Sequence, residues 1–228
     1  MTFQAIACDY DSTLAHEGRV APETLLALGR ARAAGRKLIL VTGRTLDDLR
    51  TVFPELGRFD LMVVENGAVV FNPSSQFEEF LCPEPAVKFL SGLSQAKIPF
   101  SLGKRVVASK RPYESEVQRL IDRLHVDLAV ILNRESVMIL PQGIDKGTGL
   151  RAALRILTLA PSEVVGIGDA ENDLAFLRLC GFSAAVANAI DALKREVDYV
   201  TGQDDGAGVA EIIEQVIAGG PLVEARDS

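Results

Sequence analysis

Short apolar runs, each closed by polar or glycine-bearing punctuation, recur along the chain and predict strands alternating with helices. Phe3–Cys8 is the first run. Pro22 then stands where a helix tolerates proline, and Leu25, Leu28, Ala31 and Arg32 follow at helical spacing up to Gly35. Lys37–Val41 is apolar without alternation, the mark of a strand covered on both faces. Thr45 is placed to cap a helix whose first turn carries Asp47 and Asp48. Leu61–Val64 and Val69–Phe71 flank an Asn66-Gly67 turn. Strand–helix–strand–helix–strand in this order predicts a parallel sheet with right-handed crossovers.

Past Asn72-Pro73-Ser74-Ser75 the texture changes. Helices are expected over 86–96 and Glu114–Leu124, each followed by a pair of short strands: Phe100–Leu102 with Arg105–Ala108, then Ala129–Asn133 with Ser136–Leu140 around Arg134-Glu135. This αββαββ block reads as an inserted module over 83–142. Residues 1–82 and 143–228 then form one doubly wound α/β core. From Lys146 the first texture resumes: helix to Leu157, strand Val164–Ile167, helix Glu171–Leu179 and strand Ser183–Val186. A helix from Asp191, a strand at Tyr199–Val200 and a helix Val209–Ile217 complete it, and the polar tail 221–228 is expected to fray.

The chain is 228 residues long and 48% hydrophobic, enough for a sizeable core and against a disordered chain. No apolar run reaches the roughly 20 residues of a membrane span, and Asp9 and Asp11 interrupt any signal-peptide core. Three scattered cysteines (Cys8, Cys82, Cys180) form neither a disulfide framework nor a zinc knuckle, so a reducing cytoplasm is expected. A net charge of −7 argues against a nucleic-acid binder. It leaves room for a small phosphorylated metabolite, because a metal ion inverts the local field. Oligomeric state is not legible.

Four features carry chemistry. Asp9 and Asp11, two apart after the first strand, point the same way at the carboxyl edge of the sheet, where ligands bind. They suit a nucleophile and metal ligand beside a proton carrier, or else a polar turn capping the next helix. Gly168-Asp169-Ala170-Glu171-Asn172-Asp173 offers oxygen donors for a hard cation, with Mg²⁺ as occupant, or a helix cap alone. Thr42-Gly43-Arg44, again at a strand end, is an anion cradle or an ordinary turn. Lys146 is a surface lysine, or the positive charge that a phosphate needs. His16 reads as an exposed loop residue or one facing the pocket, His125 as structural, Cys8 as a core residue, and Glu65 as solvated or facing the inserted module.

In this order the four features resemble the motifs of the haloacid dehalogenase (HAD) superfamily, in its Cof-type branch with a C2B cap. Asp9-Tyr10-Asp11-Ser12-Thr13 looks like motif I, Thr42 motif II, Lys146 motif III, and Gly168-Asp169 through Asp173 motif IV. The likeness spans essentially the whole chain and extends to archaeal-type phosphoglycolate phosphatases and sucrose-phosphate phosphatases. It implies a Mg²⁺-dependent phosphatase acting on a small phosphomonoester through an aspartyl-phosphate, with phosphoglycolate first and a sugar phosphate as the alternative. A phosphomutase and a non-catalytic phospho-binding module stand further off. By the resemblance Asp9 attacks and Asp11 serves as acid and base. Thr42, Gly43, Arg44, Lys146 and Asn172 hold substrate. Mg²⁺ sits on Asp9, Asp169 and the backbone carbonyl of Asp11, with Asn172 or Asp173 bound directly or one layer out. The cap supplies specificity, and Lys104, Arg105, Lys110, Arg111 and Tyr113 are its candidate contacts or else solvated surface.

Overall fold

The computed structural model describes residues 3–133, 135–219 and 222. Arg134, in the expected hairpin turn, and all of the expected tail except Leu222 lie outside them. The first half of the chain runs β1 (Ala5–Cys8), α1 (Pro22–Ala33), β2 (Lys37–Val41), α2 (Leu46–Val52), β3 (Leu61–Val64), β4 (Val69–Asn72) and β5 (Phe77–Phe80). Next come α3 (Val87–Gln95), β6 (Ser101–Leu102), β7 (Val107–Lys110), α4 (Glu114–Leu124), β8 (Leu128–Asn133) and β9 (Ser136–Pro141). The chain then returns through α5 (Lys146–Leu157), β10 (Val164–Gly168), α6 (Leu174–Leu177), β11 (Phe182–Ala185), α7 (Asp191–Lys194), β12 (Tyr199–Val200) and α8 (Asp205–Ala218).

The strands form two sheets, ordered β12-β11-β10-β1-β2-β3-β4-β5 and β6-β7-β9-β8. In the larger sheet, β12 through β3 run parallel, and β4 and β5 add an antiparallel edge. The chain winds outward from β1 in both directions, so right-handed crossovers put α1 and α2 on one face and α5, α6 and α7 on the other. The packing of α8 on α1 and of α5 on α6 agrees with that placement. Every residue of β1, β3 and β10 is buried, as apolar strands covered on both sides must be. The register sets Cys8 beside both Leu40 and Ile167, and Val41 beside Val63. Asp9, Thr42, Glu65 and Asp169 therefore emerge as neighbours on one sheet edge.

The smaller sheet is antiparallel and has its own apolar cluster. Phe89 and Leu93 of α3 and Val117, Leu120 and Ile121 of α4 cover Val107, Val137 and Ile139. Alternation puts Met138 and Leu140 of β9 on the opposite face, where with Val106 they join the main core. The apolar run Val137–Leu140 of β9 is thus explained by cover on both sides.

Beyond shifted ends, as at β7 and at α8, which begins four residues early at Asp205, two elements differ from the sequence reading. β5 was not expected. Phe77 and Phe80 stand three apart, without strand alternation, and its residues are exposed or half-buried at the sheet edge. Its hairpin is turned by the Asn72 side chain, which accepts from the N–H groups of Ser74 and Ser75. The continuous helix expected over Glu171–Leu179 is instead a 3₁₀ turn, Glu171–Asp173, followed by the short α6. Asp173 folds back on the strand end, and its Oδ2 accepts from the N–H groups of Asp169 (2.8 Å) and Ala170 (3.0 Å).

Candidate active site

Lys146 is the first residue of α5, behind an Asp145 cap that accepts from the Thr148 N–H. Its ammonium is 1% exposed and donates at 2.6 Å to both Asp9 Oδ1 and Asp173 Oδ1. A lysine so deep is unaffordable in water-free surroundings without such partners. Burial alone would lower its pKa; Asp173 and Asp9 outweigh burial and raise it. Burial also raises the Asp9 carboxyl well above the usual range; Lys146 opposes that, and Asp173 and Asp169 add to it. Asp169 is buried in turn, with its Oδ1 accepting from the Thr13 hydroxyl at 3.0 Å.

Asp9, Asp169 and Asp173 offer oxygens that all lie within 4.8 Å of one another. Three carboxylates against one ammonium leave a formal excess of two negative charges when all are ionised. Hard oxygen donors with that excess fit a divalent cation. A further observation agrees. Asn172 Nδ2 donates to Asn66 Oδ1 at 3.1 Å, while Asn172 Oδ1 is buried with no partner in the protein. Asp173, by contrast, has both oxygens committed, to Lys146 and to two backbone N–H groups. Asp9, Asp169, Asp173 and the Asn172 amide oxygen are thus the oxygen donors gathered here for an ion, and Asp173 also holds Lys146 and the loop in place.

Asp11 is elsewhere. Its carboxylate is gripped in a fork by Arg44, Nε to Oδ2 and Nη2 to Oδ1, each at 2.8 Å, while Arg44 Nη1 reaches Asp48 at 2.6 Å. The Arg44 guanidinium also lies 5.5 Å from the centre of the Tyr10 ring. Thr42 is fully buried, and its hydroxyl accepts from the Arg44 N–H at 3.1 Å. Asp11, Gly43, Arg44, Thr45 and Asp48 form the core wall of a cavity of about 710 Å³. Ser101, Leu102, Gly103, Val106, Ala108, Glu135, Ser136 and Met138 form its other wall, from the smaller sheet.

Of the residues singled out in the sequence, Asp9, Lys146, Asp169, Asn172 and Asp173 gather in one buried cluster, and Asp11, Gly43 and Arg44 meet at the cavity. The five candidate specificity residues are not on its wall. Lys104 pairs with Glu78, and Arg105 lies over the Phe80 ring at 4.0 Å; both are spent on β5. Arg111 pairs with Glu114. Tyr113 is partly buried against the apolar cluster of the smaller sheet, and Lys110 is exposed at the end of β7. His16 is exposed beside Asp205, and His125 ends α4 in a left-handed conformation. Cys8 points into the core, where burial and then Asp9 push its thiol up, an inert setting. Thr13 and Asn66 are site residues that sequence reasoning gave no role. The Asn66-Gly67 turn was the available signal for the second.

No helix among the described residues is long and apolar enough to cross a membrane. The family model of haloacid dehalogenase-like hydrolases matches residues 6–104 and 104–213. A phosphoglycolate phosphatase of Methanosarcina acetivorans is 33% identical over 221 residues, covering 94% of this chain and 96% of its own. One of Methanothermobacter thermautotrophicus is 31% identical, covering 93% and 98%. Among solved structures, a haloacid dehalogenase-like hydrolase of Bacteroides thetaiotaomicron superposes with a TM-score of 0.82 at 23% identity, covering 94% of this chain and all of its own. A subclass IIB sugar phosphatase gives 0.77 at 19%, covering 93% and 98%. With strand-end acids, a buried lysine and a family match running almost end to end, this chain belongs to the haloacid dehalogenase-like hydrolases.

Proposed function

We propose that the protein is a Mg²⁺-dependent phosphatase that hydrolyses a small phosphomonoester through an aspartyl-phosphate on Asp9. The carrying observation is the ammonium of Lys146 fixed between Asp9 and Asp173 beside Asp169, a charge set that fits a metal and a phosphate together and little else. Lys146 anchors Asp9 Oδ1, and the other carboxylate oxygen would serve as the nucleophile. That oxygen forms the new O–P bond as the bond to the leaving alcohol breaks, and Asp11, entering the step protonated with one oxygen released from the Arg44 fork, gives the alcohol its proton. In the second half Asp11 takes a proton from the water that attacks the phosphoryl group and frees Asp9. Thr42, the Gly43 and Arg44 turn and Lys146 hold phosphoryl oxygens. Asp9, Asp169, the Asp11 carbonyl and the Asn172 amide oxygen would hold Mg²⁺. Bound there, the ion neutralises the charge that gathers on the transferring group. Residues 83–142 act as the cap that closes over the cavity, and core residues 1–82 and 143–228 carry the chemistry.

Phosphoglycolate is the first substrate to test, on the strength of relatives at about a third identity that bear that name. A sugar phosphate is the second reading, favoured by a cavity of about 710 Å³, roomy for a two-carbon acid, and by its mostly neutral cap wall. A phosphate-release screen over small esters, with and without Mg²⁺ and beside Asp9→Asn, tests the reading. Wild type should release phosphate only with the metal. Asp9→Asn should keep its fold and lose turnover on the order of 10⁴-fold or more. Metal-dependent turnover retained in that variant would sink the nucleophile assignment.

A further inference from the structure

Glu65 is a buried carboxylate for which the reaction above has no use. It follows β3 as Asp9 follows β1 and Asp169 follows β10, so the sheet delivers it to the same edge. Yet its carboxylate, 1% exposed, leaves the core for the smaller sheet. Oε1 accepts from the Lys104 N–H at 2.9 Å, and Oε2 from the N–H groups of Arg105 (2.6 Å) and Val106 (2.9 Å). An ionised carboxylate can only accept, and three converging backbone donors make a fitted cradle for it. Gly103 permits the approach, because a Cβ there would stand 2.7 Å from Oε2.

The turn that bears Glu65 touches most of the phosphate and metal site. Glu65 and Asn66 both adopt left-handed backbone, φ 53° and 54°, which side-chain-bearing residues disfavour unless held. The holders are site residues. The Glu65 N–H donates to the Arg44 carbonyl at 2.9 Å and the Asn66 N–H to the Thr42 carbonyl at 3.0 Å. Asn66 Oδ1 accepts from Asn172. Gly67, φ 103°, packs so tightly on Asp145 and Lys146 that a Cβ would collide with the Asp145 carbonyl.

We propose that Glu65 is a positioning residue: seated in the backbone cradle of residues 104–106, its carboxylate latches the cap and ties cap seating to Thr42, Asn172 and Lys146. The inference rests on the phosphatase reading for its consequence, but the latch itself is testable without turnover. Two variants break it from opposite sides, Glu65→Gln in the core and Gly103→Ala in the cap. Amide hydrogen exchange of the metal-free, substrate-free protein is the first measurement. In each variant the Lys104, Arg105 and Val106 amides should exchange at least about tenfold faster, while those of Ala5–Cys8 stay protected and certify the fold. Phosphate release with Mg²⁺ is the second. Each single variant should lose about tenfold or more in kcat, and the double variant should be no worse than the worse single, because both cut one connection. A role confined to stability would leave the kcat of the folded protein unchanged. Unchanged exchange at 104–106 in a folded variant overturns the latch, and so do losses that multiply in the double variant. Should Glu65→Gln fail to fold, Gly103→Ala carries the exchange test with Glu65 intact. A wild type that releases no phosphate from any ester fails the phosphatase reading alone, and the exchange data still decide the latch.

Discussion

The core side of the site sets its charges at the ends of strands locked in an eight-stranded sheet, whereas the cap side of the cavity is mostly small and neutral. Asp9, Asp169 and Lys146 are at most 5% exposed, and their positions follow from the register of β1 against β10 and from the start of α5. Ser101, Leu102, Gly103, Ala108, Ser136 and Met138 offer shape rather than charge, on a sheet of short antiparallel strands. Charges that must neutralise a phosphoryl group gain from a rigid, dry setting in which no reorganisation is needed.

The contrast predicts very different sensitivities, and the largest belongs to Lys146. Replacing it by Met leaves Asp9 and Asp173 buried without their cation. Breaking one side of a buried ion pair costs about 3–5 kcal/mol. Urea unfolding in chelator should show that loss, and saturating Mg²⁺ should restore part of it by supplying the missing positive charge. Activity should stay undetectable even in the stabilised, metal-loaded variant. A Lys146→Met protein as stable as wild type in chelator would break the claim that the core side is an electrostatic unit.

Arg44 stands where the two sides meet, and its substitution should fall between them. Arg44→Lys keeps the charge and loses the fork on Asp11, since an ammonium cannot donate through two coplanar N–H groups. Misplacing the proton carrier should cut kcat on the order of 10²-fold with little change in stability. Steady-state kinetics beside a thermal melt would separate the two effects. An unaltered kcat would mean that the grip on Asp11 has no part in turnover.

The same contrast marks how far the residues could be read before the fold was known. The core was legible because its strands are buried on both faces and its chemistry sits directly after them. Asp9, Thr42 and Asp169 needed only strand ends and a parallel order to be brought together. The cap wall was not legible. Lys104 and Arg105 look like substrate contacts in a string of letters, yet they hold β5, an exposed edge strand whose Phe-Glu-Glu-Phe pattern carries no period of two. Glu65 was visible as a candidate for the junction, but its partners are backbone N–H groups, which leave no trace in side-chain chemistry.

On the cap wall, Ala108→Leu sharpens the comparison by filling space without touching a charge. Its side chain faces the cavity, so stability should change by less than about 0.5 kcal/mol. KM should rise about tenfold for bulky esters and less for the smallest, with kcat nearly constant, as expected where only shape is at stake. A competition assay between a two-carbon and a six-carbon phosphate ester reads the ratio directly. A fall in kcat instead would place charge-positioning work on the cap side as well.

The smallest effect belongs to an ion pair on the open surface, outside both walls. His16 Nδ1 lies 2.7 Å from Asp205 Oδ2, and that hydrogen bond and charge raise the imidazole pKa above its ordinary value, with Glu17 and Asp204 adding to the rise. A histidine favoured in its charged form by folding adds stability that is complete below the unfolded pKa of about 6.5 and is lost as pH climbs through the folded value. Solvent screens the pair, because the His16 side chain is 76% exposed. Asp205 also keeps other partners: its carboxylate accepts from Asn188 Nδ2, and its N–H donates to Asn188 Oδ1. His16→Gln should therefore melt slightly below wild type at about pH 5.5 and coincide with it at about pH 9, where the imidazole is neutral in both states. A gap that instead widened toward high pH would reverse the sign of the linkage and remove the pair as its source.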